Sequence, residues 1–170
     1  MAATKKDQFS NVAFGDVTCS AANTLTFSAI QLAVGTFQGV ALVLHRILYY
    51  PSDASLRELV AATDGLQLAL TSSNRLTQIY QIDDPAIIDR KNICGIAAGV
   101  EPFLLPFVSD FSSLPGGGKI IAANPLYVGI QTAGAAAASN YRAQLDFTFI
   151  ELADKDYIEL IQAQLPANIG

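Results

Sequence analysis

Histidine is the side chain that most often moves protons near neutral pH, and this chain has one, His45. It stands between Leu44 and Arg46 in the most apolar stretch of the sequence. No nucleophile or carboxylate adjoins it, so it reads as an outward-facing or hydrogen-bonded strand residue, not a base or ligand. No G-x-S-x-G surrounds any serine. Cys19 and Cys94 are too far apart for a metal motif. Each sits in a run where a small buried residue fits; a disulfide between them stays open. Asp83, Asp84 and Asp89 resemble a calcium loop only loosely, because the spacing and closing glutamate of an EF-hand are missing. They read as a solvated turn.

Gly116-Gly117-Gly118-Lys119 is similar in outline to a phosphate-binding loop. The pattern G-x-x-x-x-G-K-[ST] fails at both ends, with Ser113 at the opening glycine and Ile120 at the hydroxyl position. Three glycines ahead of a strand suit a turn with positive φ. Tyr49, Tyr50 and Tyr80 could stack on bases or sugars, but rings in such apolar surroundings belong first to a core or an interface. The residues therefore predict no catalytic site, no cofactor and no metal, and the chain is not expected to be an enzyme.

The elements that would position these residues are strands. Asn11–Ser20 alternates Val12, Phe14 and Asp16 with Ala13, Gly15 and Val17. Thr24–Leu32 places Leu25, Phe27 and Ala29 on one face, the period-two pattern of a half-buried strand. Val40–Tyr50 is apolar almost throughout, which predicts a central strand covered on both faces. Pro51 ends it, and Ser52 or Asp53 can cap a short helix over Ala54–Ala62. Leu66–Thr71 and Leu76–Ile82 read as a hairpin. A strand follows near Asn92–Ala98, and Phe103–Phe111 is an edge or bulged strand because of Pro106. Lys119–Ala123 and Leu126–Gln131 are strands, separated by Asn124-Pro125. Thr132–Ser139 is a loop or a single turn. The last strand sets Tyr141, Ala143, Leu145, Phe147 and Phe149 against Arg142, Gln144, Asp146 and Thr148. Asp154 then caps a helix over Lys155–Ala163. The tally is about eight strands in a two-sheet, all-β sandwich with one or two short helices. Residues 1–11 form a flexible N-terminal segment and 12–170 one domain.

Composition narrows the function. Of 170 residues, 51% are hydrophobic and 15% charged, against a usual charged share of about 25%. The mean hydropathy is +0.35. No stretch reaches the roughly 18 unbroken apolar residues of a spanning helix, and the start lacks a signal peptide's apolar core. The excess apolar surface is expected to meet other protein chains, as in obligate interfaces. Net charge is −5, and Lys5-Lys6 is the only basic pair at the N-terminus. Contact with nucleic acid is therefore expected to be weak or indirect.

Three stretches together resemble a known family. Leu44-His45-Arg46-Ile47-Leu48-Tyr49-Tyr50-Pro51 is followed by Asp64-Gly65-Leu66-Gln67-Leu68-Ala69-Leu70-Thr71. Leu114-Pro115-Gly116-Gly117-Gly118-Lys119-Ile120-Ile121 then leads into Pro125-Leu126-Tyr127-Val128-Gly129-Ile130, an Ala/Ser-rich loop and the strand from Tyr141. The arrangement is similar to small single-jelly-roll viral capsid proteins of environmental viruses. It covers roughly residues 40–160. The resemblance implies an eight-stranded jelly roll, many copies of the chain in a virion shell, contacts with other capsid proteins, and no catalytic residues. The chain departs from many such proteins in lacking a basic N-terminal arm.

Candidate interface residues are Gly116, Gly117 and Gly118 in the turn, and Tyr157, Leu160 and Ile161 on one face of the C-terminal helix. That face can pack on its own sandwich or reach a neighbour. Two other readings compete with the capsid subunit. One is an oligomeric binding module, such as a fibre head or lectin-like trimer. The other is a cupin-like enzyme, which a lone histidine disfavours.

Overall fold

The computed structural model describes residues 9–19, 24–32, 39–52, 65–80, 83–94, 106–122, 125–133 and 139–165. The cleanest alternation in the sequence becomes the spine of one sheet. β9 (Ser139–Glu151) turns Tyr141, Ala143, Leu145 and Phe147 into the core and carries Arg142, Gln144 and Asp146 on its other face. It lies between β1 (Asn11–Cys19) and β3 (Val40–Pro51), antiparallel to both. β6 (Phe107–Asp110) and β7 (Lys119–Ile121) share the far edge of β3, β6 along Arg46–Tyr49 and β7 along Leu42–Leu44. The second sheet runs β2 (Leu25–Ile30), β8 (Leu126–Ala133), β4 (Gly65–Thr71) and β5 (Ile87–Cys94).

The two antiparallel sheets form an all-β sandwich around one main core. Leu42, Leu44, Ile47 and Tyr49 of β3 meet Leu66, Leu68 and Leu70 of β4 and Leu126, Val128 and Ile130 of β8 there. The pairings nest: β4 with β5, β3 with β6 and β7, β2 with β8, and β1 with β9. Nine strands are described where about eight were expected, because two short strands divide one edge position. One helix follows, α1 (Asp154–Ala163).

β3 contains the irregularity that matters most. Between Leu44 and Arg46 its register against β9 slips, so His45 is an extra residue in a β-bulge. Without the slip, Leu42 and Leu44 would share a face with Arg46, since strand side chains alternate. With it, Leu42, Leu44, Ile47 and Tyr49 all reach the core. β3 is buried on both faces only from Ala41 to Leu44; beyond the bulge Arg46 is exposed. The expectation of a strand covered throughout is corrected in its second half.

Other boundaries also move. The strand expected over Leu76–Ile82 is absent from its described part, residues 76–80. These residues instead strap the outer face of the second sheet. Leu76 and Ile79 bury themselves with Ala69 and Ala86, and Leu25, Phe27 and Ile87 pack against them. Buried positions three apart do not fit a strand. Gln131 Oε1 fastens the strap by accepting from the Ile79 N–H at 2.9 Å. The apolar face of β2 therefore serves this second, smaller core. β5 begins at Ile87, five residues before the expected Asn92, and β6 begins just after Pro106. Asp154 lies in the first helical turn, where its charge suits the helix dipole; the N-cap is Ala153. The helix expected over Ala54–Ala62, the turn at residues 21–23, most of the first eleven residues and the loop at 134–138 fall outside the described residues.

Candidate functional site

His45 and the glycine turn, far apart in the sequence, form one structure. Gly116 and Gly117 have φ of 90° and 76°, a conformation open to glycine and strained for other residues. Gly118 runs so close to β3 that a Cβ there would lie 2.7 Å from Leu44 O and from Val43 Cγ1. The bulge turns His45 toward the turn. Its Nδ1 lies 2.6 Å from Gly117 O and its Nε2 3.0 Å from Thr148 Oγ1. A carbonyl only accepts, so Nδ1 carries the proton, and in the neutral ring Nε2 accepts from Thr148. These distances match a nucleophile–base–orienter chain. However, Thr148 is buried, and the other ring nitrogen is taken up by the turn. The arrangement fastens the turn to the first sheet.

One side of the sandwich is closed by polar links between β5 and β6/β7. Lys91 donates to Val108 O at 3.2 Å, Ser109 to Asp89 Oδ1 at 2.8 Å, and Lys119 to Ile88 O at 2.6 Å. Arg90 donates to Tyr80 O. The fully buried Tyr49 hydroxyl faces Asp89, but neither it nor Asp89 Oδ2 has a hydrogen bond of good geometry. Burial, then the charge of Asp89 and hydrogen bonding to it, push the Tyr49 phenol well above 10.0. Burial holds Lys119 below 10.5. Sequence reasoning missed this cluster. Its members come from four strands, and only the packing of the two sheets brings them together.

The outer face of the first sheet carries ion pairs. Arg142 grips Asp16 through two hydrogen bonds of 2.6 and 2.9 Å. This contact lowers the Asp16 carboxyl below 3.8 and raises the guanidinium. Arg46 binds Asp146 at 2.5 and 2.7 Å, and Gln144 donates to the other Asp146 oxygen. The sequence set Arg142, Gln144 and Asp146 opposite the apolar face of the last strand, grouped Asp16 with Val12 and Phe14, and left Arg46 within a strand expected to be covered on both faces. The register that makes Asp16 the direct partner of Arg142 appears only in the paired strands. Val12 and Phe14, 51% and 54% exposed, share the outward face of β1 with Asp16. The small residues Ala13, Gly15 and Val17 take the inner face.

The C-terminal helix docks on its own sandwich. Tyr157 donates to Ala122 O at 3.3 Å. Gln164 accepts from Ala122 N–H at 3.0 Å and donates to Ile120 O at 2.9 Å, while its carbonyl accepts from Ser72 Oγ at 2.7 Å. Tyr157 and Leu160 are half-buried, and Ile161 lies on the exposed side with Ile158 and Leu165. The proposed face thus splits: the first two lean on the sandwich, and the third joins an outward stripe at i, i+3 and i+7. The expected interface glycines divide likewise. Gly116 is exposed, Gly117 half-buried and Gly118 buried.

Cys19 is a buried thiol hydrogen-bonded to Thr24 Oγ1 at 2.9 Å and Thr132 Oγ1 at 3.2 Å. Asp84 uses Oδ1 to accept from Ala86 N–H at 2.9 Å, a local turn contact, and Asp83 is exposed. Tyr50 is half-buried and Tyr80 exposed. Among the described residues, no three or more His, Cys, Asp or Glu side chains gather as a metal site requires. Nor is any described helix long and apolar enough to cross a membrane. No protein-family model, curated protein or solved structure matches the chain.

Proposed function

We propose that this protein is a structural coat subunit of a virus, not an enzyme, and that many copies self-assemble into an icosahedral virion shell. The observation that carries the reading is the nested pairing of the strands. Counting β6 and β7 as one edge position, eight positions pair first with last, second with seventh, third with sixth and fourth with fifth. This order supports a jelly roll, the double Greek key used by capsid and lectin domains. Fold alone does not choose among the functions it hosts. The composition supplies the second argument: a chain 51% hydrophobic and 15% charged still exposes Val12, Phe14, Ile158, Ile161 and Leu165.

Shell subunits contact several neighbours, so individual contacts need only modest strength. The exposed helical stripe and the tip of the glycine turn are the surfaces offered to other copies and to further capsid proteins. With a net charge of −5, this subunit meets the genome indirectly. The test is particle size by light scattering and negative-stain imaging of purified protein across salt concentrations. Closed particles of uniform diameter are the expected outcome. A monomer or small trimer under every condition overturns the reading in favour of a binding module.

A further inference from the structure

An end strand exposes a row of unpaired N–H and C=O groups and so offers a template to another strand. Sheet ends occur at β1 and β6/β7 in the first sheet, and at β2 and β5 in the second. The β5–β6/β7 side is guarded. β6 and β7 are four and three residues long, and β5 carries Lys91, tied across that side to Val108 O, and Arg90, tied to Tyr80 O. On the opposite side β2 has six residues. β1 has nine, without lysine, arginine or proline. Its register against β9 is unbroken from Asn11 to Cys19, so no bulge twists the edge away. Its one charge, Asp16, is already held by Arg142.

We propose that the outer edge of β1 over Val12–Thr18 pairs antiparallel with the same segment of a second copy across a two-fold axis, making the first sheet continuous through both subunits. The alternating donors and acceptors of a strand edge are complementary to themselves under such an axis. Charge favours a copy as the occupant. With Phe14 opposite its own counterpart, Asp16 faces the partner's Val12, so no like charges oppose. The same operation on β5 centred on Arg90 or on Lys91 sets that cation against its own counterpart, an unfavourable pairing. Seven residues extend over about 24 Å, a seam too short to supply alone the roughly 800 Å² per partner of a standard interface. The pairing therefore serves as one of several contacts per copy, and in that sense it rests on the shell reading.

The experiment compares wild type, Phe14→Lys, Phe14→Glu and an equimolar mixture of the two variants, by sedimentation and amide hydrogen exchange. Phe14 is more than half exposed, so both variants are expected to keep the wild-type melting temperature within a few degrees. In wild type, exchange across Val12–Thr18 should slow as concentration rises. Each variant alone should need about tenfold more protein to associate, and the mixture should recover. Wild-type particles with concentration-independent exchange in β1 overturn the pairing and leave the shell reading standing. The same holds if both variants assemble as wild type does. A β1-paired dimer that never grows larger supports the pairing and overturns the shell. A monomer at every concentration overturns both.

Discussion

At the scale of the residue, His45 shows how one polar side chain is used when it stands in a core strand. Its bulge position takes it out of the inward series, and its two nitrogens join β3 to the glycine turn and to β9. His45→Ala should cost about 1–3 kcal/mol, because Gly117 O and the Thr148 hydroxyl both lose a partner. The denaturation midpoint checks this. Tyr49 is a contrasting case. Its hydroxyl is buried without a well-formed bond, so Tyr49→Phe should change stability at neutral pH by less than about 1 kcal/mol.

Among the elements, α1 is held by polar contacts more than by burial; none of its residues is buried. Gln164 alone supplies an acceptor to Ala122, a donor to Ile120 of β7 and a backbone carbonyl to Ser72. Gln164→Ala should cost about 1–2 kcal/mol and raise protease cleavage within the helix, with cleavage in the strands unchanged. Limited proteolysis read by mass spectrometry checks it. The element scale also shows what the sequence could reveal. β9 was legible because its alternation is uninterrupted and both its neighbours lie in the same sheet. The strap at residues 76–80 was misread because Leu76, Gln78 and Tyr80 imitate a strand's spacing while Leu76 and Ile79 are the buried pair. β5 was placed late because its middle, Asp89-Arg90-Lys91-Asn92, has none of the apolar residues that mark a core strand. The bulge was invisible too, since a slip in register is a relation between two strands. Of the candidate interface, the helix was legible from its spacing. Which of its faces leans on the sandwich was not, because Gln164 and Ala122 set that through contacts distant in sequence.

For the whole molecule, the ionisable groups shape a stability plateau with two different shoulders. Asp16 has a folded value below 3.8, so its contribution is complete above that pH and is lost as pH falls through the folded value. Asp110, lowered by hydrogen bonds from Ser112, acts in the same direction. Tyr49 has a folded value well above 10.0. Its contribution is complete below pH 10 and is lost as pH rises toward the folded value. Lys119 opposes it: the cost of burying its charge is relieved as pH climbs toward 10.5. Thermal melts across pH should therefore show an acid shoulder that Asp16→Asn removes in part. They should also show an alkaline decline that Tyr49→Phe reduces. An unchanged alkaline limb in Tyr49→Phe would mean that the buried phenol is not what titrates there.

The nested pairing also orders the protein's manufacture. β1 leaves the ribosome well before its hydrogen-bonding neighbour β9, whose first residue comes 120 positions after the end of β1. At about 5–20 residues per second, synthesis of that interval takes about 6–24 s. Until then β1 has neither sheet partner nor finished core beneath it. A chain cut short before Ser139 lacks the strand that joins β1 to β3. Truncated products are thus kept out of any assembly that relies on the completed first sheet, a form of proofreading that needs no further factor.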